Sequence, residues 1–229
     1  SPAVLPKPND WGPDVLVIDW ADKAAVLATL TAPAHTRIVL RVHGVDALRP
    51  WIHLLDWSRV DSVVAVSAPL LDLVRDAVGE RAGTTPAHVI PNLIDLDAFG
   101  TRQATPREPQ TLCVVGWAQR VKDPLWAVEV LAGLRAGGGD WRLLLVGADF
   151  AAAPTASGTE HAAAFRERAL ADDVRDHIEY TGFRTDLPEV LARPGFVLST
   201  SLRESWPVGL AEGVAITSSC SPSSPWCAC

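Results

Sequence analysis

Methionine is absent from all 229 residues, so Ser1 is not expected to be a natural start and upstream sequence is expected to be missing. Positive charge is also short: 20 Lys and Arg stand against 27 Asp and Glu, a net charge of −7. A general nucleic-acid binder needs a basic face to neutralise phosphates, so the charge argues against that class. No apolar run is long enough to span a bilayer, and no charged-then-apolar leader opens the chain. The expected location is the cytoplasm, with peripheral contact at the inner face of the membrane allowed. No G-x-G-x-x-G is present either, which argues against a dinucleotide dehydrogenase.

Cysteine is scarce and oddly placed. Of four, three (Cys220, Cys227 and Cys229) fall in the closing stretch ITSSCSPSSPWCAC, beside five serines and two prolines and with neither helical nor strand periodicity. Without a histidine or a C-x2-C pair they make a poor zinc set, and no metal or other cofactor is expected. Residues 216–229 are expected to be out-of-frame or vector-derived sequence following a truncation. Cys113, inside an apolar run, reads as a small buried hydrophobe.

What is present is globular: 48% apolar and 21% charged residues over a length between one and two ordinary domains. Strand-like and helix-like segments alternate. Pro13–Ile18 is an apolar run; Asp22–Leu30 follows with Val26, Leu27 and Leu30 at helical spacing; then come Arg37–His43, ending at Gly44, and Val63–Val66. Ser67 can cap a helix over Pro69–Val78. Pro91 pushes Ile90 into extended geometry, Asn92 and Asp95 favour a turn, and Gly100–Gln110 reads as a domain boundary. The pattern restarts with Thr111–Gly116 and a helix carrying Trp126, Val128, Val130, Leu131 and Leu134. Trp141–Asp149, a helix over Glu160–Ala171, His177–Arg184 and a short helix over Asp186–Ala192 complete it. Short continuous apolar strands separated by helices predict an α/β fold with parallel sheets covered on both faces.

The chemistry gathers in Phe196–Ala215, FVLSTSLRESWPVGLAEGVA. Phe196-Val197-Leu198 reads as a short buried strand, and Ser199-Thr200-Ser201 ends it with hydroxyls able to bond their own backbone. Pro207 suits the first turn of a helix, and the small residues Gly209 and Ala211 permit another chain or a ligand to come close. Glu204 precedes that helix and Glu212 lies inside it. A strand, a polar elbow, a helix start and paired acids together describe a ligand site.

Glu204-Ser205-Trp206-Pro207 followed by Glu212 resembles the E-x7-E signature of retaining glycosyltransferases of family four, which have the two-domain GT-B fold. Further segments match that family in the same order over residues 14–215. RIVLRVHG is similar to the strand ending in a His-bearing loop on the acceptor side, and VDSVVAVS to the next strand. His88–Phe99 resembles the segment leading into the interdomain linker, with Leu93 where the family has Gly. The loop Trp117–Pro124 resembles the donor-phosphate loop, with Lys122 on the family's Lys and Trp117 replacing its Arg. LLLVGAD resembles a strand and glycine turn, and His177–Arg184 the loop holding the nucleotide base.

The resemblance implies a glycosyltransferase that moves a sugar from a nucleotide-diphosphate donor to an acceptor hydroxyl with retention of configuration. It implies Glu204, Lys122 and His43 as catalytic residues, His43 from the acceptor side. Donor binding falls to Arg120, Gly182, Phe183, Arg184, Val208, Gly209 and Glu212. Arg120 would help in place of the missing Arg, and the helix-start amides of Val208 and Gly209 would face the diphosphate. Glu212 would accept from the ribose hydroxyls. The implied partners are a nucleotide sugar and a glycan, lipid or small-molecule acceptor. Two Rossmann-like, parallel-sheet, GT-B-like domains are expected, both incomplete: residues 1–100 on the acceptor side and 101–215 on the donor side, before the tail. A nucleotide-sugar epimerase of the same fold and a non-catalytic, truncated nucleotide-binding remnant remain as alternatives.

Overall fold

The structure is a computed structural model that describes residues 12–100, 107–150 and 156–217; residues 218–229 of the expected tail lie outside the described residues, whereas Ile216 and Thr217, expected to be irregular, end a helix. The chain divides into two compact units, Ser1–Asn92 and Leu93–Cys229.

The first unit holds β1 (Val15–Asp19), α1 (Lys23–Thr31), β2 (Arg37–Val42), β3 (Val60–Ala65), α2 (Ala68–Val78) and β4 (Ala87–Val89). The strands pair in the order β1-β2-β3-β4, all parallel. Ile38, Leu40 and Val42 alternate along β2 and are wholly buried. Asp22 caps α1, accepting from the amides of Ala24 (2.8 Å) and Ala25 (3.0 Å).

The expected apolar stripe of α1 is not its inner side. Ala25 and Thr29 are buried, whereas Leu27 and Leu30 are exposed. Thr29 Oγ1 donates to Val26 O (2.9 Å) and accepts from Asp56 N (3.2 Å), so a buried polar contact with the approach to β3 fixes the helix's rotation. Ser67 occupies the N-cap of α2 as expected, yet its hydroxyl bonds no helix amide.

The second unit holds α3 (Leu96–Gly100), β5 (Glu108–Val115), α4 (Pro124–Ala136), β6 (Arg142–Val146), α5 (Ala156–Ala169), β7 (Ile178–Gly182), α6 (Leu187–Ala192), β8 (Pro194–Val197) and α7 (Val208–Thr217). The division falls before the expected boundary at residue 100 because α3 packs on α7. The sheet order is β7-β6-β5-β8, again all parallel. Strand alternation sends Leu112, Val114, Leu143 and Leu145 to one face, where Leu131 of α4 and Phe165 of α5 cover them. Cys113, Leu144 and Val146 face the other way, under Val190 and Leu191 of α6. Each such burial contributes about 1.5–3 kcal/mol, so both faces are needed to hold the sheet.

The small residues of α7 bring it close to the sheet, the first of the two approaches expected of them. A Cβ on Gly213 would lie 2.6 Å from Val197 Cγ2 and 2.9 Å from Val197 Cβ; one on Gly209 would lie 3.0 Å from Val115 Cβ. Gly213→Ala should therefore push α7 off β8 and destabilise the second unit by about 1–3 kcal/mol. Cys113 supplies the reporter, since burial pushes its thiol up to about 12 and leaves it without solvent contact. Iodoacetamide at pH 8 should leave native Cys113 unmodified by peptide mapping. The Gly213→Ala protein should label roughly tenfold faster through the open state.

Candidate functional site

Because β5 to β8 are parallel, the loops that leave them share one edge of the sheet. Winding runs from β5 through β6 to β7, then reverses to place β8 on the far side of β5. The α4 helix after β5 covers one face and α7 after β8 packs against the other, so the loops leaving these strands part and open a crevice between them.

The loop after β5 is built by backbone geometry. Gly116 takes a left-handed φ of +67° and donates its N–H to Val146 O (2.8 Å). Trp117 then turns inward and is buried against Phe150, Phe165 and Tyr180, at ring separations of 5.3, 5.0 and 5.6 Å. The residue in place of the family's Arg is thus core, with no reach to an anion. A single 3-10 turn, Arg120–Lys122, follows, and Asp123 at φ +43° starts α4.

The loop after β8 is stitched to it. Thr200 Oγ1 donates to Lys122 O (2.7 Å) and Leu202 N to Val121 O (2.9 Å). The Thr200 hydroxyl thus bonds across loops and not to its own backbone, which corrects the local reading for that residue. Lys122 Nζ pairs with Glu204 Oε1, which also accepts from Ser201 Oγ (2.7 Å). Lys122, Glu204, Ser199, Thr200 and Gly209 line a hollow of about 30 Å³, room for one or two waters.

Lys122, Glu204 and Gly209 are therefore brought together, and the Gly209 N–H has no acceptor among the described residues. The Val208 N–H is not available beside it: it donates to Trp206 O (3.0 Å). Arg120 is exposed on the 3-10 turn and does not line the hollow. Glu212 does not line it either. That side chain is half-buried with no hydrogen-bond partner among the described residues, and desolvation raises its pKa above the ordinary glutamate value.

Gly182, Phe183 and Arg184 stand at the end of β7, two strands or about 10 Å from β5. The Gly182 carbonyl accepts from Gly147 N (3.0 Å), and Phe183 is 77% exposed. Arg184 is committed to Asp186 through two bonds of 2.8 and 2.5 Å, and that partner holds the guanidinium's pKa up.

In the first unit, His43 follows β2. Its Nε2 lies 2.7 Å from Asp19 Oδ1, its ring stacks on Trp20 at 3.9 Å and 21°, and its N–H donates to Asp46 Oδ2 (2.7 Å). Trp20 sits at a left-handed φ of +84°, unusual for a bulky residue. Asp19 and Trp20 were not singled out from sequence, and Ser201 was read there as a backbone cap, not as a partner of Glu204. Parallel pairing of Asp19 with Arg41 brings the first two beside His43, and no local pattern encodes that. Among the described residues, no group of three or more His, Cys, Asp or Glu is placed to hold a metal ion, and no helix is long and apolar enough to cross a membrane.

Residues 109–219 match the family model of glycosyl transferases group 1. No curated protein matches the chain by sequence. Among solved structures, Anabaena Alr3699/HepE in complex with UDP and glucose is 17% identical with a TM-score of 0.69, over 87% of this chain and 57% of that one. A UDP-forming trehalose-phosphate synthase from Burkholderia xenovorans is 13% identical with a TM-score of 0.66, over 88% and 56%. TarM is 10% identical with a TM-score of 0.67, over 88% and 39%. The chain thus spans little more than half the length of the first two. The expected fold, two Rossmann-like α/β domains of the GT-B type, is the fold these likenesses support, and residues 109–219 are similar in sequence to the group 1 glycosyl transferases.

Proposed function

We propose that the second unit holds a nucleoside-diphosphate sugar and that the protein transfers the sugar to an acceptor hydroxyl with retention of configuration. One observation carries this reading: Lys122, Glu204 and the unbonded Gly209 amide meet at the crevice where the sheet reverses, within the segment that matches the group 1 family. As the glycosidic bond breaks, negative charge builds on the departing diphosphate. Lys122 and the Gly209 N–H, at the start of α7, are positioned to stabilise it. Glu204 takes the sugar's hydroxyls. Glu212, an acceptor only when ionised and without a partner of its own, takes the ribose diol.

The exposed ring of Phe183 offers the base a stacking face, whereas Arg184, tied to Asp186, contributes structure and no free charge. Arg120 is the cation left over for the outer phosphate. His43, clamped by Asp19 and Trp20, is assigned to the acceptor side of the reaction.

Calorimetry of the full chain with UDP-glucose and its guanosine and adenosine counterparts tests the donor site, and nucleotide release with added acceptor tests transfer. Lys122→Ala should lower the rate by about 10²–10³; an unchanged kcat would reject that role. Binding of a donor without release under any acceptor would support the remnant reading.

Glu212 makes a pH prediction of two opposite signs. Its folded pKa is raised, so its carboxyl is destabilised once ionised. Stability from this residue is full below the ordinary glutamate value and declines as pH rises through the raised one. Glu212→Gln should remove that decline, so its melting temperature should exceed the parent's at pH 7 and approach it near pH 4. Donor affinity should move the other way in the parent, rising across the same window, and lose that dependence in the variant.

A further inference from the structure

Without a ligand, the crevice presents a neutralised pair in place of a free cation. Lys122 Nζ rests on the Glu204 oxygen that Ser201 also serves, and the two charged side chains are only 28% and 23% exposed. Thr200 and Leu202 fix the loops that carry them, so the pair is held in register by the backbone. The hollow beside it, about 30 Å³, lies directly against the pair. An entering diphosphate that uses Lys122 competes for it with Glu204.

Resting on the donor-site reading above, we infer that Glu204 is a specificity-determining residue that sets the site against a bare nucleoside diphosphate and in favour of one still carrying its sugar. A lysine ammonium is a compact point charge, and when it turns to phosphate it leaves the Glu204 carboxylate with the single hydroxyl of Ser201. A bare diphosphate brings only acceptor oxygens and more negative charge to that carboxylate. A donor with its sugar attached brings hydroxyl donors, which satisfy an acceptor-only group. The same ion pair thus weakens retention of the spent nucleotide while allowing the intact donor to bind.

Calorimetry of the full chain with UDP, inorganic pyrophosphate and UDP-glucose tests this on the parent and on Glu204→Gln. The substitution should tighten UDP and pyrophosphate by about two- to fivefold, the effect of removing one partly shielded charge pair. It should leave UDP-glucose unchanged or weaker. In a Lys122→Ala background the gain for UDP should vanish. A second readout needs no ligand: amine acylation at Lys122, read by peptide mass spectrometry, should rise in Glu204→Gln. Equal tightening of UDP and UDP-glucose would overturn the inference, as would a gain that persists without Lys122. UDP-glucose binding with unchanged UDP and pyrophosphate affinities would overturn it while leaving the donor site standing. Failure of both proteins to bind any of the three would overturn the donor-site reading for uridine donors, and this inference with it.

Discussion

β5 has β6 on one side and β8 on the other, and the chain that leaves it toward α4 must part from the chain that leaves β8 toward α7. At that parting the sheet's end is uncovered, and the loops have to satisfy their own backbone groups. They do so on each other: the Thr200 hydroxyl and the Leu202 amide take the carbonyls of Lys122 and Val121. The functional side chains inherit their positions from these bonds. Lys122 stands where it does because its carbonyl is held, and Glu204 because Ser201 holds an oxygen of its carboxylate.

The approach of α7 to the sheet is the second constraint. Gly209 lies against Val115 and Gly213 against Val197, at distances that leave no space for a side chain. A helix this close puts its first turn over the end of β5, which brings the Gly209 amide to the wall of the hollow. Packing and chemistry are served by the same residues, so their smallness does not by itself tell whether a ligand is near.

Strands were legible in the sequence because a buried parallel strand is a continuous apolar run; β2, β5 and β6 fall on such runs with ends shifted by a few residues. The rotation of α1 was not, since it depends on Thr29 meeting Asp56 across a sequence gap that no periodicity spans. Lys122, Glu204 and Gly209 were each singled out from order and motif; the ion pair that joins the first two was not. Val208 failed as an anion contact because its amide turns back on Trp206, a detail of the helix's entry. The tie of Arg184 to Asp186 was legible in the sequence. Asp186 stands two positions on, and an adjacent carboxylate in a strand-end loop is an obvious claimant for a guanidinium.

Two glutamates eight positions apart end in opposite conditions, and the contrast separates their roles. Glu204 is shielded and paired, so its charge is compensated before any ligand arrives. Glu212 is half-buried and unpaired, so its ionised form is only partly hydrated. Folding alone gives no reason to keep an acceptor in that state, since an amide or an apolar residue would fit the helix at lower cost. A ligand with two adjacent hydroxyls would supply the missing donors, and the free energy lost when the carboxylate was desolvated would then reappear as binding. On the proposed reading the site is divided: one acid would be released for the donor to enter, and the other would be satisfied only with the donor in place.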